Sequence, residues 1–208
     1  MRMRTVFCSV LILASAVLAG IQPVANVQPN VNPCTTLGNP PTVASCWSCF
    51  QTLLGDCDNA KTVERRTACY EGANTFFTWC LGRTTAPAGG PVAPTSPRPR
   101  PGTQNSMESG KGYSYVVMLD ANTDPNDVVV FVRDVIDGKV RQQEAKSFVM
   151  PAEGNEVEIF FSDSELGVSK ASSLGIITAI RTNGIVTTAH AMVVEVVHGL
   201  DLDGNGTV

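Results

Sequence analysis

"LGIITAIRTNGIVTTAHAMVVEVV", residues 174–197, decides how this chain is read. Two runs rich in β-branched residues, 174–182 and 185–197, flank Asn183-Gly184. That dipeptide takes positive φ at low cost and returns one strand antiparallel to the other. The same grammar recurs upstream. Asp137-Gly138 separates "DVVVFVRDVI" (127–136) from "KVRQQEAKSFVM" (139–150), each read as one strand. With the turn at that pair, Asp134 stands opposite Arg141 and Val135 opposite Val140, a sensible set of cross-strand partners. "YSYVVML" precedes this hairpin and "EVEIFFS" follows it, the latter with Val157, Ile159 and Phe161 on one side and Glu156 and Glu158 on the other.

Six strands with turn signals between them, and hardly any helical periodicity, predict an antiparallel β-sandwich over residues 113–199. By pattern it resembles immunoglobulin-like and fibronectin-type-III-like domains, although the Cys-Trp-Cys core signature of a strict immunoglobulin domain is absent. The resemblance implies a scaffold that binds, spaces or displays, with any chemistry in its loops.

Ahead of the sandwich, residues 82–112 ("GRTTAPAGGPVAPTSPRPRPGTQNSMESGKG") are dense in Pro, Gly, Ser and Thr, the composition of an extended linker. Six of the seven cysteines lie between the N-terminal leader and this linker, at 34, 46, 49, 57, 69 and 80. Cys46 and Cys57 are eleven positions apart, as are Cys69 and Cys80, so each pair returns to nearly the same helix face. Trp47, Phe50, Leu53 and Leu54 accompany the first stripe, and Val63, Ala73, Phe76 and Phe77 the second. Two antiparallel helices joined at "DNAK", with Asp58 or Asn59 capping the second, bring Cys57 to Cys69 near the turn and Cys46 to Cys80 at the open end. Cys34 then pairs with Cys49. Over residues 46–80 the arrangement resembles the twin CxnC helical hairpins. The fold class is thus multi-domain: a small disulfide-rich α-helical hairpin in residues 20–81 plus an all-β antiparallel sandwich, immunoglobulin-like.

The N-terminus "MRMRTVFCSVLILASAVLAG" reads as a signal peptide over residues 1–19, with Arg2 and Arg4 before an apolar core and a small-residue cleavage site at Ala19. No later stretch is long and apolar enough to span a bilayer, and no lipoprotein cysteine or GPI tail is evident. Cleavage leaves 13 basic against 19 acidic residues, so the formal charge moves from −4 to −6. Such a balance argues against nucleic acid as a partner. The expected location is secreted, cell-surface or periplasmic, which suits disulfides.

The last residues, 200–208, contain Asp201-Leu202-Asp203-Gly204-Asn205-Gly206-Thr207-Val208. This resembles the first eight positions of an EF-hand or dockerin-type calcium loop. The resemblance implies Asp201, Asp203, Asn205 and the Thr207 carbonyl as metal ligands, with Gly206 at the sharp turn and the closing acid of position 12 beyond the sequence. Calcium is the one cofactor suggested. Asp120, Asn122 and Asp124 repeat the alternate spacing but meet Pro125, as an ordinary turn does. His190 and His198, eight residues apart on one strand face, would stand about 26 Å apart and share no metal.

No nucleophile elbow, zincin pair, Walker loop or dinucleotide fingerprint occurs, so no catalytic residue is assigned. The expected function is exported, non-catalytic binding or attachment to an extracellular protein or glycan ligand. One alternative is a thiol-disulfide oxidoreductase using "CWSC", Cys46 to Cys49. Another is a secreted inhibitor or effector carried by the cysteine-rich domain.

Overall fold

The structure, a computed structural model, describes residues 34–35, 37–84, 96–136, 139–145, 148–152, 154–162 and 172–198. The expected leader, the Asp137-Gly138 turn and the tail 200–208 lie outside these residues.

Two helices come first. α1 (Val43–Cys57) opens with a capping box, in which the Thr42 side chain accepts the Ser45 N–H and the Ser45 hydroxyl accepts the Thr42 N–H. α2 (Val63–Leu81) is capped by Thr62, which accepts the Arg65 N–H at 3.3 Å. The expected cap, Asp58 or Asn59, is therefore corrected. α2 starts later than the cysteine spacing suggested, and Asp58 instead ends α1 with its carboxylate turned inward.

The three disulfides are Cys46–Cys80 and Cys57–Cys69, the pairs expected from helical periodicity, and Cys34–Cys49, the pair expected as the remainder. Bridges at both ends clamp the hairpin around Phe50 and Phe77, whose rings stack at 4.6 Å. So little apolar surface would not hold two helices together alone, and each bridge adds roughly 2 to 4 kcal/mol.

The rest is β-structure in two open sheets. Its strands are β1 (Arg98–Pro99), β2 (Ser106–Glu108), β3 (Tyr113–Met118), β4 (Val128–Ile136), β5 (Lys139–Glu144), β6 (Phe148–Pro151), β7 (Glu156–Phe161), β8 (Ser173–Thr182) and β9 (Ile185–Val197). A four-stranded sheet has the order β1-β3-β7-β6 and a five-stranded sheet the order β2-β9-β8-β4-β5. β8 and β9 turn at Asn183 (φ 53°) and Gly184 (φ 80°), both left-handed, as the opening dipeptide predicts. Asp134 pairs with Arg141 and Val135 with Val140, in the expected register.

Three expectations are revised. "KVRQQEAKSFVM" is two strands in different sheets: β5 pairs with β4, and after Ala145 the chain crosses to place β6 against β7. Its first half is uniformly exposed, so no apolar alternation marked the crossing. Next, the five-stranded sheet is mixed rather than wholly antiparallel, because β2 runs parallel to β9. Lastly, part of the Pro-rich stretch contributes to the sheets, β1 against β3 and β2 against β9, with Met107 buried between the sheets as its anchor.

Alternation distributes the side chains. Tyr115, Val117, Ile159 and Phe161 of one sheet meet Val130, Val132, Ile176 and Val194 of the other in a common core. Tyr115 Oη and Thr178 Oγ1 hydrogen-bond across it at 2.8 Å. On the opposite face of the five-stranded sheet, Ile177, Ala179, Ala189, Ala191 and Val193 form a second core with Phe50, Leu54, Tyr70 and Phe77 of the helices. The alanines leave room for the helices to approach. The hairpin is thus a third layer, and hairpin and sheet share apolar side chains across their junction.

A buried ionic cluster ties this junction. Asp58 Oδ1 accepts from Arg66 Nη2 at 2.6 Å and from Tyr70 Oη at 2.7 Å, while Oδ2 accepts from Arg133 Nη2 at 2.7 Å. Arg66 also donates to the Ser173 carbonyl at 3.1 Å, and Arg133 donates to Gln51 at 3.0 Å and to Gln142. One carboxylate, with its side chain fully buried, thereby joins α1, α2 and β4. Gly175 lies beneath it, where an added Cβ would meet Tyr70 Oη at 2.2 Å.

Candidate functional site: a groove along the open edge of the last strand

β9 pairs with β8 on one side from Ile185 to Glu195, but on the other side β2 pairs only with residues 195–197. The edge before that is lined by α2 and by the chain from Ser96 to Asn105. Along α2, Glu71, Asn74, Thr75, Thr78 and Trp79 fall at helical spacing and form one stripe over this edge. Ser96 and Arg98 stand opposite. Thr188 donates to Ser96 Oγ at 3.2 Å, and Asn105 O accepts the Glu195 N–H at 2.8 Å, which holds the second wall to the sheet.

The result is a cleft of about 540 Å³ near Trp79, continued by one of about 310 Å³ farther along β9. Glu71, Asn74, Arg98 and His190 line both. Asn74 plugs the strand edge at their junction: its Oδ1 accepts the Ala191 N–H at 2.9 Å and its Nδ2 donates to the Ala191 carbonyl at 2.7 Å. A side-chain amide here satisfies the two main-chain groups that a neighbouring strand would have taken. Because Ala191 turns these groups away from β8, Val193, two residues on, presents its N–H and C=O to the same side.

The Asn74 orientation also fixes His190. Its Nε2 lies 3.4 Å from Asn74 Nδ2 and so acts as acceptor, which leaves the proton on Nδ1. Nδ1 is buried with no hydrogen-bond partner. Burial first, and the Arg98 charge second, push the imidazole pKa down to about 4, so it is neutral at neutral pH. A general base working near neutrality needs a higher value. Trp79 forms the outer end of the cleft and is 52% exposed, high for an indole. Arg83 stacks over its ring at 5.0 Å and Phe76 packs against it at 5.6 Å. Neither of them lines the main cleft. Arg83 instead lines a second depression with Leu37, Asn39 and Pro41, so the indole is a ridge between two hollows. This assembly can hold a compact polar ligand against an aromatic wall.

The residues singled out from sequence fall elsewhere. Asp201, Asp203, Asn205 and Thr207 lie outside the described residues. Cys46 and Cys49 of "CWSC" are fully buried and bridged to Cys80 and Cys34, so they form no dithiol pair with each other. Asp124 caps a 3-10 turn at Pro125–Asp127 by accepting the Asn126 N–H at 2.9 Å, the role of an ordinary turn. Glu156 and Glu158 share the outer face of β7, with Glu156 accepting from Arg100 at 3.3 Å. His190 lies in the groove, while His198 follows the end of β9. Among the described residues, no group of three or more His, Cys, Asp or Glu side chains is placed to hold a metal. Nor is any helix there long and apolar enough to cross a membrane. Asn74, Trp79 and Arg98 were not singled out from sequence, although a lone tryptophan on the polar face of a predicted helix was a usable signal.

No protein-family model matches the chain, and no curated protein matches it.

Proposed function

We propose that the protein is an exported, non-catalytic binding or attachment module, in which an immunoglobulin-like sandwich carries a stapled hairpin and the two together present the groove beside Trp79. The observation that carries this reading is an exposed indole over a polar cleft whose only histidine is held neutral and whose walls offer hydrogen bonds without a nucleophile-base pair. Three disulfides suit an oxidising compartment, as does the leader-like N-terminus. The crossings of the chain between sheets after β1, β2, β3, β5 and β7 support the sandwich assignment.

Calcium at the tail belongs to the same reading. Asp201, Asp203, Asn205 and the Thr207 carbonyl are all oxygen donors, which suits a hard divalent cation. Four such donors are fewer than the roughly six to eight oxygens that calcium takes. A weak site, or one completed by further carboxylates, follows.

The test is retention of labelled residues 20–208 on isolated cell-surface and matrix material, in calcium and in chelator. Saturable retention is expected, and no retention in either condition overturns the attachment reading. Calorimetric titration with calcium beside Asp201→Ala and Asp120→Ala addresses the tail, where heat should vanish in the Asp201 variant alone. An insulin-reduction assay tests the oxidoreductase alternative, for which no activity and no free thiol are expected in the oxidised protein.

A further inference from the structure

Resting on that reading, we infer that the Trp79 cleft is a binding site for a neutral pyranose sugar, with Trp79 as its stacking platform. Several observations exclude other occupants in turn. An open strand edge usually invites an extended peptide, which adds as a further strand through successive main-chain hydrogen bonds. Here the Asn74 amide already occupies the edge at Ala191, and β2 closes it from Glu195 onward. The plug splits the edge, with the outward main-chain groups of Ala189 before it and those of Val193 after it, so no unbroken run of main-chain bonds greets a strand. A ligand must therefore be compact.

Charge narrows the choice further. Within the cleft Glu71 and Arg98 contribute one charge of each sign, Arg100 is paired with Glu156, and His190 is neutral at neutral pH, while Arg83 lies over the indole from the adjoining hollow. The groove has no surplus of cations for a phosphate or a uronic acid, and no surplus of carboxylates for a metal ion.

What remains are hydroxyl groups on an aromatic wall. Thr75 and Thr78 donate their protons to the Glu71 and Asn74 carbonyls, which leaves oxygen lone pairs facing outward as acceptors. Beside them the half-exposed indole, with Arg83 over its ring on the side of the second depression, supplies an apolar surface. A pyranose ring has the matching chemistry, with one face of C–H bonds and a rim of hydroxyls that both donate and accept. The volume of about 540 Å³ lies within the range of small-molecule sites.

The test is a glycan array carrying neutral and acidic saccharides, followed by tryptophan-fluorescence titration with any neutral glycan bound and with cellobiose and N,N′-diacetylchitobiose. Neutral hexopyranoses should bind, and Trp79→Ala should weaken them by about tenfold or more, as loss of a central aromatic anchor does. Trp79→Phe should recover part of the affinity. Thr78→Arg, which fills the cleft while leaving the indole in place, should also abolish binding. Met150→Ala, on the outer face of the other sheet, should leave it unchanged. Thermal melts and near-ultraviolet circular dichroism establish that each variant is folded. An array with no hits overturns the inference, as does binding confined to acidic glycans that is lost on Arg98→Gln and kept in Trp79→Ala. Retention on surface material together with an empty array would reject the sugar site while leaving the attachment reading in place.

Discussion

Asp58 is the residue on which the junction between helices and sheet most depends. Among the described residues, its carboxylate is the only acid accepting from the buried guanidinium groups of Arg66 and Arg133. A buried pair adds little over a well-packed apolar substitute, but removing one partner strands the other in the interior. Asp58→Ala strands two cations, and a loss of about 3 to 5 kcal/mol is expected. Guanidinium denaturation of parent and variant checks this, and a loss below about 1 kcal/mol would mean that the cluster relaxes into solvent. Gly175 has a separate constraint, since Tyr70 stands where a side chain would begin. Gly175→Ala should cost about 1 to 3 kcal/mol by overpacking, read by the same denaturation midpoint. His190 gives a pH signature. Its folded pKa of about 4 lies below the ordinary 6.5, so the unfolded chain takes up a proton where the folded one does not. Its contribution is therefore present above pH 6.5 and lost as pH falls toward 4, up to about 3 kcal/mol at most. His190→Gln should flatten that part of the stability profile relative to the parent, whereas identical slopes would show that carboxylates account for it all.

Among the elements, the hairpin was the most legible, because covalent chemistry and helical period both constrain it. Eleven-residue spacing sets two sulfurs on one face, and only one antiparallel pairing then closes both bridges. Peptide mapping of the oxidised protein should recover Cys34–Cys49, Cys46–Cys80 and Cys57–Cys69, and any other set would overturn the fold. Cys46→Ala with Cys80→Ala, which opens the far end of the hairpin, should cost about 3 kcal/mol in melting experiments. The strands were legible where one face was wet, as in β7, and at the Asn183-Gly184 turn. The crossing between β5 and β6 was hidden because an all-polar edge strand carries no record of which sheet it serves. A stronger signal passed unread. "VVVFV" in β4 and "IITAI" in β8 are apolar on both sides, and a strand buried on both faces requires a layer on each. Those runs called for something to cover the second face, and the hairpin covers it. The groove was less legible, since it is built from α2, the chain at 96–105 and β9, which only the tertiary fold brings together.

For the whole molecule, the shared core means that helices and sheets should unfold as one unit. Fluorescence of Trp47 and Trp79 reports on the hairpin, while the infrared amide band of β-structure reports on the sheets. Coincident denaturation curves are expected, and two separate midpoints would show that the layers are independent. The dependence of the third layer on three disulfides has a consequence for timing. Wherever thiols are kept reduced, the hairpin lacks its clamps and the alanine-lined face of the sheet lacks its cover, so the finished structure is out of reach. The polypeptide would then stay pliable enough to be threaded through a translocation channel and would mature only after arrival. On the proposed export route, oxidation would thereby serve as an arrival signal, and production in a reducing cytoplasm should give insoluble or protease-sensitive chains where an oxidising host gives resistant ones.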